Sequence, residues 1–306
     1  MIPRLFRAWD RFWFDRISPL PLAACRLATG LLGLACGLSL LPELPLWLGD
    51  AGLVSRETAA AMYPRWQIHL MLWLPPGDSW VYLFWAAFML ASLALALGLF
   101  SRLSALLVFL TLLSMQHRNP VPFDGAERLL GMLCLYLTGS GAGADWSLDR
   151  WLRNHRSGNP LDRVPAWPLR LIQVNLALLY LSSFLSKLPG SFWLDGTAVY
   201  YSSRIELLQR FQLPYLFEHP VTVRLLTWGT LAIEGAFPVL VWLPRTRRAM
   251  LAAGVVFHLV MEYTMNIPLL QPAMLVCYVA FLKPEELDRS FRTASQTLGR
   301  WLKPEG

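Results

Sequence analysis

Long apolar runs separated by short polar segments dominate the chain. With a window close to the thickness of a bilayer, they predict about eight membrane-spanning helices: Pro21–Leu41, Ser79–Phe100, Leu103–Gln116, Glu127–Gly143, Leu169–Leu188, Val221–Leu243, Ala249–Met265 and Pro268–Leu282. Before them, Leu5, Trp9 and Phe12 recur at three- and four-residue spacing, which predicts an amphipathic helix on the membrane surface. The expected fold is an all-α, polytopic membrane helix bundle.

Composition supports this class. The 306 residues are 55% hydrophobic and 15% charged, and they include 14 Trp. A soluble domain would be far less apolar. The net charge of +7 could indicate nucleic acid binding, but no basic patch is interleaved with aromatics and no zinc-finger spacing is present. We therefore expect the lipid bilayer as a partner and no nucleic acid.

The basic residues fall mainly in alternate loops. If the N-terminus is cytoplasmic, the cytoplasmic segments hold Arg4, Arg7, Arg11, Arg16, Arg102, Arg150, Arg153, Arg156, Arg163, Arg245, Arg247, Arg248, Lys283, Arg289, Arg292, Arg300 and Lys303. This bias predicts a protein of the cell inner membrane with both termini in the cytoplasm. The predicted segments are an interfacial helix (1–18), a transmembrane domain (19–284) and an amphipathic cytoplasmic tail (285–306) that includes Leu298, Trp301 and Leu302.

The positions of the four cysteines argue against two kinds of site. Cys25, Cys36, Cys134 and Cys277 all lie within predicted spans, and none forms a Cys-x-x-Cys motif. This pattern argues against a thiol-based quinone oxidoreductase and against a cysteine-ligated metal site. No metal is expected.

Lys187 is the most informative residue. It follows the apolar run Leu169–Leu188 and precedes a Pro-Gly turn, so its amine lies at the edge of the hydrocarbon. There are two alternatives for such a lysine. Its stem reaches to the interface, or the ammonium is desolvated, releases its proton and acts as a base.

Three further ionisable residues lie in the later spans. Glu234 falls near the middle of a span, where a carboxylate needs a partner, and Pro238 follows one turn later. His258 and Glu262 are four residues apart on one helical face, which favours a hydrogen-bonded polar pair over a metal site. Together with Lys187, these residues are the candidate catalytic set.

The external segments supply candidate substrate-binding residues. Trp193, Tyr200 and Tyr201 either stack beside a flat ring or anchor the chain at the interface. The stretch from Gln116 to Arg128 holds three more candidates, which are His117, Asn119 and Asp124. Asp124 can alternatively cap the helix that follows it.

Arg26 lies about one turn inside the first span, on a helix that contains Gly30, Gly33 and Gly37. Small residues at such spacing allow neighbouring helices to approach closely. The guanidinium either reaches to the cytoplasmic interface or forms a buried ion pair. Arg26 is therefore a further candidate for substrate binding.

Three places in the chain carry a resemblance to a known family. The first is Arg26 followed by the glycine-rich helix and an aromatic external segment that contains Trp47, Trp66 and Trp73. The second is Lys187-Leu-Pro-Gly-Ser-Phe-Trp193 with Asp195-Gly196 and Tyr200-Tyr201. The third is Phe257-His258 with the stretch Met265 to Phe281. In these the chain resembles the horizontally transferred transmembrane (HTTM) domain family, whose best-known relative is the vitamin K-dependent gamma-carboxylase. The resemblance implies that Lys187 is a base acting on a reduced, vitamin K-like quinone, in a gamma-carboxylase-like lyase.

The leading hypothesis is an inner-membrane enzyme that uses an apolar quinol, with Lys187 as base and Glu234, His258 and Glu262 orienting it or relaying protons. A second hypothesis is a non-catalytic membrane partner in the maturation of a secreted peptide or redox protein. A third is a small-solute or proton-coupled transporter.

Overall fold

A computed structural model describes residues 2–62, 67–157, 163–289 and 293. The predicted tail lies outside the described residues, except for 285–289 and 293. The named helices are α1 (Ile2–Phe14), α2 (Leu20–Leu40), α3 (Leu44–Leu48), α4 (Arg56–Met62), α5 (Leu70–Trp73), α6 (Asp78–Leu97), α7 (Ser101–Arg118), α8 (Gly125–Thr138), α9 (Leu148–Ser157), α10 (Trp167–Lys187), α11 (Ser191–Leu194), α12 (Ala198–Ser202), α13 (Pro214–Phe217), α14 (Pro220–Leu240), α15 (Arg247–Thr264) and α16 (Leu270–Val279). Two short strands, β1 (Arg16–Ile17) and β2 (Val164–Pro165), pair antiparallel.

The all-α class is confirmed. Each of the eight predicted stretches contains one helix, namely α2, α6, α7, α8, α10, α14, α15 or α16. Within the part of the chain that the structure describes, four segments are long and apolar enough to cross a membrane: Leu20–Leu48, Asp78–Leu97, Trp167–Lys187 and Pro220–Leu240. The total of eight spans and the side of the termini stay predictions.

Helix α6 illustrates why these segments suit a bilayer. Leu83, Leu90 and Leu97 recur every seven residues on one face, and their side chains are 59%, 67% and 49% exposed. The opposite face buries Phe88, Ser92 and other small or apolar residues. An exposed apolar stripe of this length is stable against lipid rather than water.

The described residues form two compact units, one within 1–171 and 279–306 (the first unit) and one within 172–278 (the second unit). In the first unit, α2 packs along α6 and α8, and α7 packs between α6 and α8. Glycine makes the contact of α2 with α6 possible, since a Cβ on Gly30 would lie 2.3 Å from the backbone nitrogen of Ala96.

In the second unit, α14 packs against α15 and against the short helices α11, α12 and α13. Two side chains of α14 attach the segment between α10 and α14. The Thr227 hydroxyl accepts a bond from the Val199 amide at 3.2 Å, and the Trp228 indole donates to the Leu194 carbonyl at 3.3 Å. Gly196, at φ +83°, makes the turn that brings α12 back to α14.

Candidate functional site

Lys187 is positioned by the end of helix α10. Pro189 cannot continue the helix, and the Gly190 amide donates to the Lys187 carbonyl at 3.0 Å to form a tight turn. Helix α11 then starts, and it carries the Trp193 ring back to 5.1 Å from the Lys187 ammonium. The sequence Lys-Leu-Pro-Gly-Ser-Phe-Trp thereby folds an aromatic ring over the amine.

The partner of Lys187 is Glu234 on α14. Its two carboxylate oxygens each lie 2.8 Å from the lysine Nζ. Ser183, one turn before the lysine, accepts from Nζ at 2.5 Å and donates to Glu234 Oε1 at 3.0 Å. The lysine side chain is only 19% exposed and the glutamate side chain only 7%. The side chains of Lys187, Ser183 and Glu234 are thus joined by hydrogen bonds, along which a proton can be held and passed.

Pro238 leaves the backbone carbonyl of Glu234 without its usual helical hydrogen bond. Proline has no N–H, so the backbone carbonyl of Glu234 lacks the usual donor one turn later inside α14. Glu234 therefore offers two kinds of hydrogen-bond acceptor, its backbone carbonyl and its carboxylate, at one position of an otherwise apolar helix.

A cavity of about 670 Å³ in the second unit borders the ion pair. Its walls are largely aliphatic and come from α14, α15 and the segment between α10 and α14. Lys187, Glu234 and Trp193 lie together on the wall. At Gly229, also on the wall, an added Cβ would meet no atom within 4 Å. The site is thus a mainly apolar cavity with one ion pair on its wall, an arrangement typical of sites for small apolar ligands.

His258 belongs to a separate buried network. Its Nε2 bonds the Tyr180 hydroxyl at 2.6 Å, and its Nδ1 bonds the Gln271 side-chain oxygen at 2.5 Å. Tyr180 also bonds the Tyr278 hydroxyl, and the Phe237 ring stacks on Tyr180 at 4.1 Å. Each of these five side chains is at most 5% exposed. The network connects α10, α15 and α16 through hydrogen bonds between buried side chains.

The predicted pairing of His258 with Glu262 is not observed, because both ring nitrogens of His258 have other partners. Glu262 instead forms an ion pair with Arg210 at 3.0 Å. The backbone of Arg210 also bonds the Thr264 carbonyl, so this pair ties the segment before α13 to the end of α15. Four-residue spacing placed the histidine and the glutamate on one side of α15, and neighbouring elements then supplied nearer partners.

The two candidate tyrosines contact residues near them in sequence. The Arg204 guanidinium lies 3.5 Å from the centre of the Tyr200 ring. Tyr201 is 50% exposed and packs against Phe192, with ring centres 4.4 Å apart. Of the three predicted aromatics, Trp193 is the one that lines the cavity, and a ligand-stacking role for the two tyrosines stays a prediction.

Arg26, in the first unit, bonds backbone carbonyls rather than a carboxylate, so the buried ion pair is not observed, and its reach to the interface stays a prediction. It is fully buried and donates to four backbone carbonyls at 2.5 to 3.3 Å: those of Leu95, Ala96, Ala142 and Trp146. Two of these, the carbonyls of Leu95 and Ala96, belong to the last turn of α6, so the guanidinium caps that helix. Gly98, at φ +69°, leaves room for it, since a Cβ there would lie 2.7 Å from Arg26 Cζ.

The polar stretch after α7 is also engaged by the first unit itself. His117 donates to the Ile68 carbonyl at 2.7 Å, and Asn119 donates to the Trp47 carbonyl at 2.9 Å. Asp124 forms a capping box with Glu127 at the start of α8, so the capping alternative is observed. The ring centre of His69 lies 5.0 Å from that of His117. The pKa of His69 is lowered, mainly because the ring is buried and to a smaller extent because His117 is close.

Sequence reasoning missed several residues of the second unit. Ser183 and Tyr180 lie four and seven residues before Lys187, and Gln271 and Tyr278 are seven residues apart. Polar residues repeated at helical spacing within an apolar span are the signal that could have found them. Among the described residues, no group of three or more His, Cys, Asp or Glu is placed to hold a metal ion.

These features define an integral membrane protein made of helices, with a buried ion pair on the wall of an apolar cavity. The HTTM domain family matches residues 48–285, well over half of the chain, and the chain belongs to that family. The matched range includes Lys187, Glu234 and the whole cavity wall, and it begins after Arg26. No solved structure matches the chain.

Proposed function

We propose that the protein is a membrane enzyme whose second unit binds a lipid-soluble quinol and uses Lys187 to accept a proton from the hydroxyl of that substrate. One observation carries the proposal, namely the Lys187–Glu234 pair on the wall of the apolar cavity. Ionisable groups inside a membrane are costly and are retained mainly for function.

The cavity fits this ligand class by size and lining. Its volume of about 670 Å³ lies within the range of roughly 300–1,000 Å³ that is typical of small-molecule sites. Aliphatic side chains such as Ile233 and Val256 suit an apolar ring and tail, while Trp193 offers a flat face. The two charged groups, Lys187 and Glu234, lie together on this wall, which would orient an amphiphilic ring with its hydroxyl toward the ammonium.

The pair can hold one proton in two ways. Ammonium and carboxylate face each other in one form, and neutral amine and carboxylic acid in the other, with the Ser183 hydroxyl between them. In the second form the amine has a lone pair and can act as a general base. A reduced quinone, when bound, would supply an ionisable hydroxyl and two electrons, with molecular oxygen as the electron acceptor that the family resemblance implies. Glu234 would then take up and return the lysine proton, which gives it a relay role.

The family resemblance extends this proposal to a gamma-carboxylase-like reaction, with a secreted peptide or membrane protein as the second substrate. The concentration of Arg and Lys in alternate loops supports an inner-membrane location with both termini in the cytoplasm. A reaction of this kind would place substrate on the opposite side of the membrane from the basic loops.

Gly229 offers a direct test, because its open Cβ direction lets a larger side chain occupy the cavity. Gly229→Phe is expected to weaken binding of a reduced naphthoquinone with two isoprene units at least tenfold in a calorimetric titration of detergent-purified protein. Gly229→Ala is the matched control and should leave binding within twofold of the parent. It should also stabilise α14 by about 0.5–1 kcal/mol. Equal affinity in the parent and both variants would show that the naphthoquinone does not bind in this cavity.

A further inference from the structure

The first unit contains a second cavity, which the proposed function does not use. It has a volume of about 630 Å³ and lies at the turn between α6 and α7. Its walls include Phe100, Leu103 and Leu152, together with Arg102 and Arg153. We propose that this cavity binds an anionic phospholipid, with the phosphate on the two arginines and the upper acyl chain on the apolar wall.

The position of the cavity matches the depth of lipid headgroups. Helix α6 is one of the membrane-length segments and ends at Leu97, and the cavity begins three residues later. Phe100 and Leu103 are 67% and 54% exposed. Apolar side chains exposed just beyond the end of a span meet the boundary between acyl chains and headgroups.

Both arginines are held in place by one loop. Arg102 Nε donates to the Ser140 carbonyl at 2.8 Å, and Arg153 Nη2 donates to the Gly143 carbonyl at 2.6 Å. A guanidinium has five N–H donors in a planar fork that matches phosphate oxygens. These bonds hold each fork in place, which lowers the entropy lost when a phosphate binds.

The nearby carboxylates do not cancel this charge. Asp149 lines the cavity, and its oxygens accept bonds from the Phe100 amide at 2.7 Å, the Ser101 amide at 2.9 Å and the Ser101 hydroxyl at 2.7 Å. These bonds hold the carboxylate at the N-terminus of α7, where the helix dipole favours a negative charge. Asp145 is paired with Arg150. Among the residues that line the cavity, the two positive charges of Arg102 and Arg153 exceed the one negative charge of Asp149, which leaves a net positive charge.

Helix α9 supports a lipid as occupant rather than a peptide. It carries Arg150 and Arg153 beside exposed Leu148 and Trp151, which are 39% and 57% exposed. Basic and bulky apolar residues side by side on a short helix are typical of segments that lie in the membrane interface. The arginines and the apolar wall of the cavity are continuous with that surface.

The test measures lipid retention on the full chain in detergent by native mass spectrometry, with dioleoyl-phosphatidylglycerol and dioleoyl-phosphatidylcholine as probes. The parent protein should retain phosphatidylglycerol preferentially. The double variant Arg102→Gln/Arg153→Gln should lower its affinity for phosphatidylglycerol roughly thirtyfold. Arg128→Gln is the matched control, since Arg128 is exposed at the opposite end of α8 from the 140–144 loop, and it should change nothing.

A second variant separates charge recognition from folding. Arg102→Lys/Arg153→Lys keeps both charges and should stay within about fivefold of the parent. A loss as large as that of the glutamine pair would show a structural requirement and overturn the proposal. Equal retention of phosphatidylcholine by the parent, or displacement of the lipid by excess glycerol 3-phosphate, would also overturn it.

Discussion

Substituting Lys187 by arginine is expected to lower quinol-dependent turnover by about 100-fold or more while leaving the protein folded. Arginine keeps the positive charge and can still pair with Glu234, but its guanidinium does not give up a proton. The measurement is oxygen uptake by purified protein supplied with a reduced naphthoquinone. The thermal midpoint of the variant should stay within a few degrees of the parent.

Lys283→Arg is the matched control, because Lys283 is exposed and lies outside the cavity. It makes the same chemical change and should retain full turnover. Full turnover of the Lys187 variant would exclude a base role for that amine. Equal losses in both variants would point to a general effect of the substitution.

Replacing Arg26 by alanine is expected to lower the free energy of unfolding by about 4 kcal/mol or more. The change removes the guanidinium donor from four backbone carbonyls in a site where the parent side chain is fully buried, and of these the Leu95 carbonyl keeps a bond from the Gly98 amide. It also removes the cap at the end of α6. Thermal unfolding in detergent and the yield of monodisperse protein would report the loss.

Arg26→Lys should recover part of this stability, since an ammonium supplies three donors from one point and cannot reach all four acceptors. Arg128→Gln removes an exposed arginine of the same unit and should leave the thermal midpoint unchanged. An alanine variant that melts with the parent would mean that water replaces the guanidinium at these carbonyls.

The helices were largely predictable because apolar runs are a local property of the chain. Each predicted stretch does contain a helix, and the end of α10 after Lys187 follows from Pro189 and Gly190. The short helices between α10 and α14 were not predicted. They depend on contacts such as that of Trp228 with the Leu194 carbonyl, which join residues far apart in sequence.

The partners of the charged residues were harder to predict than the helices. Lys187, Glu234, His258 and Glu262 were predicted as one set, yet the structure pairs Glu234 with Lys187 and gives His258 and Glu262 different partners. Which side chains meet depends on the rotation and depth of each helix, and packing decides both. Arg26 was unpredictable for another reason, because its acceptors are backbone carbonyls that residue types do not reveal.

The central claim is that the cavity beside Lys187 binds a quinone. The most direct test is solvent extraction of protein purified from its native membrane, followed by mass spectrometry of the extracted lipids, for the parent and for Gly229→Phe. The account predicts a quinone in near-stoichiometric amount from the parent and at least tenfold less from the variant. Absence of any quinone from the parent, or equal amounts from both proteins, would contradict it.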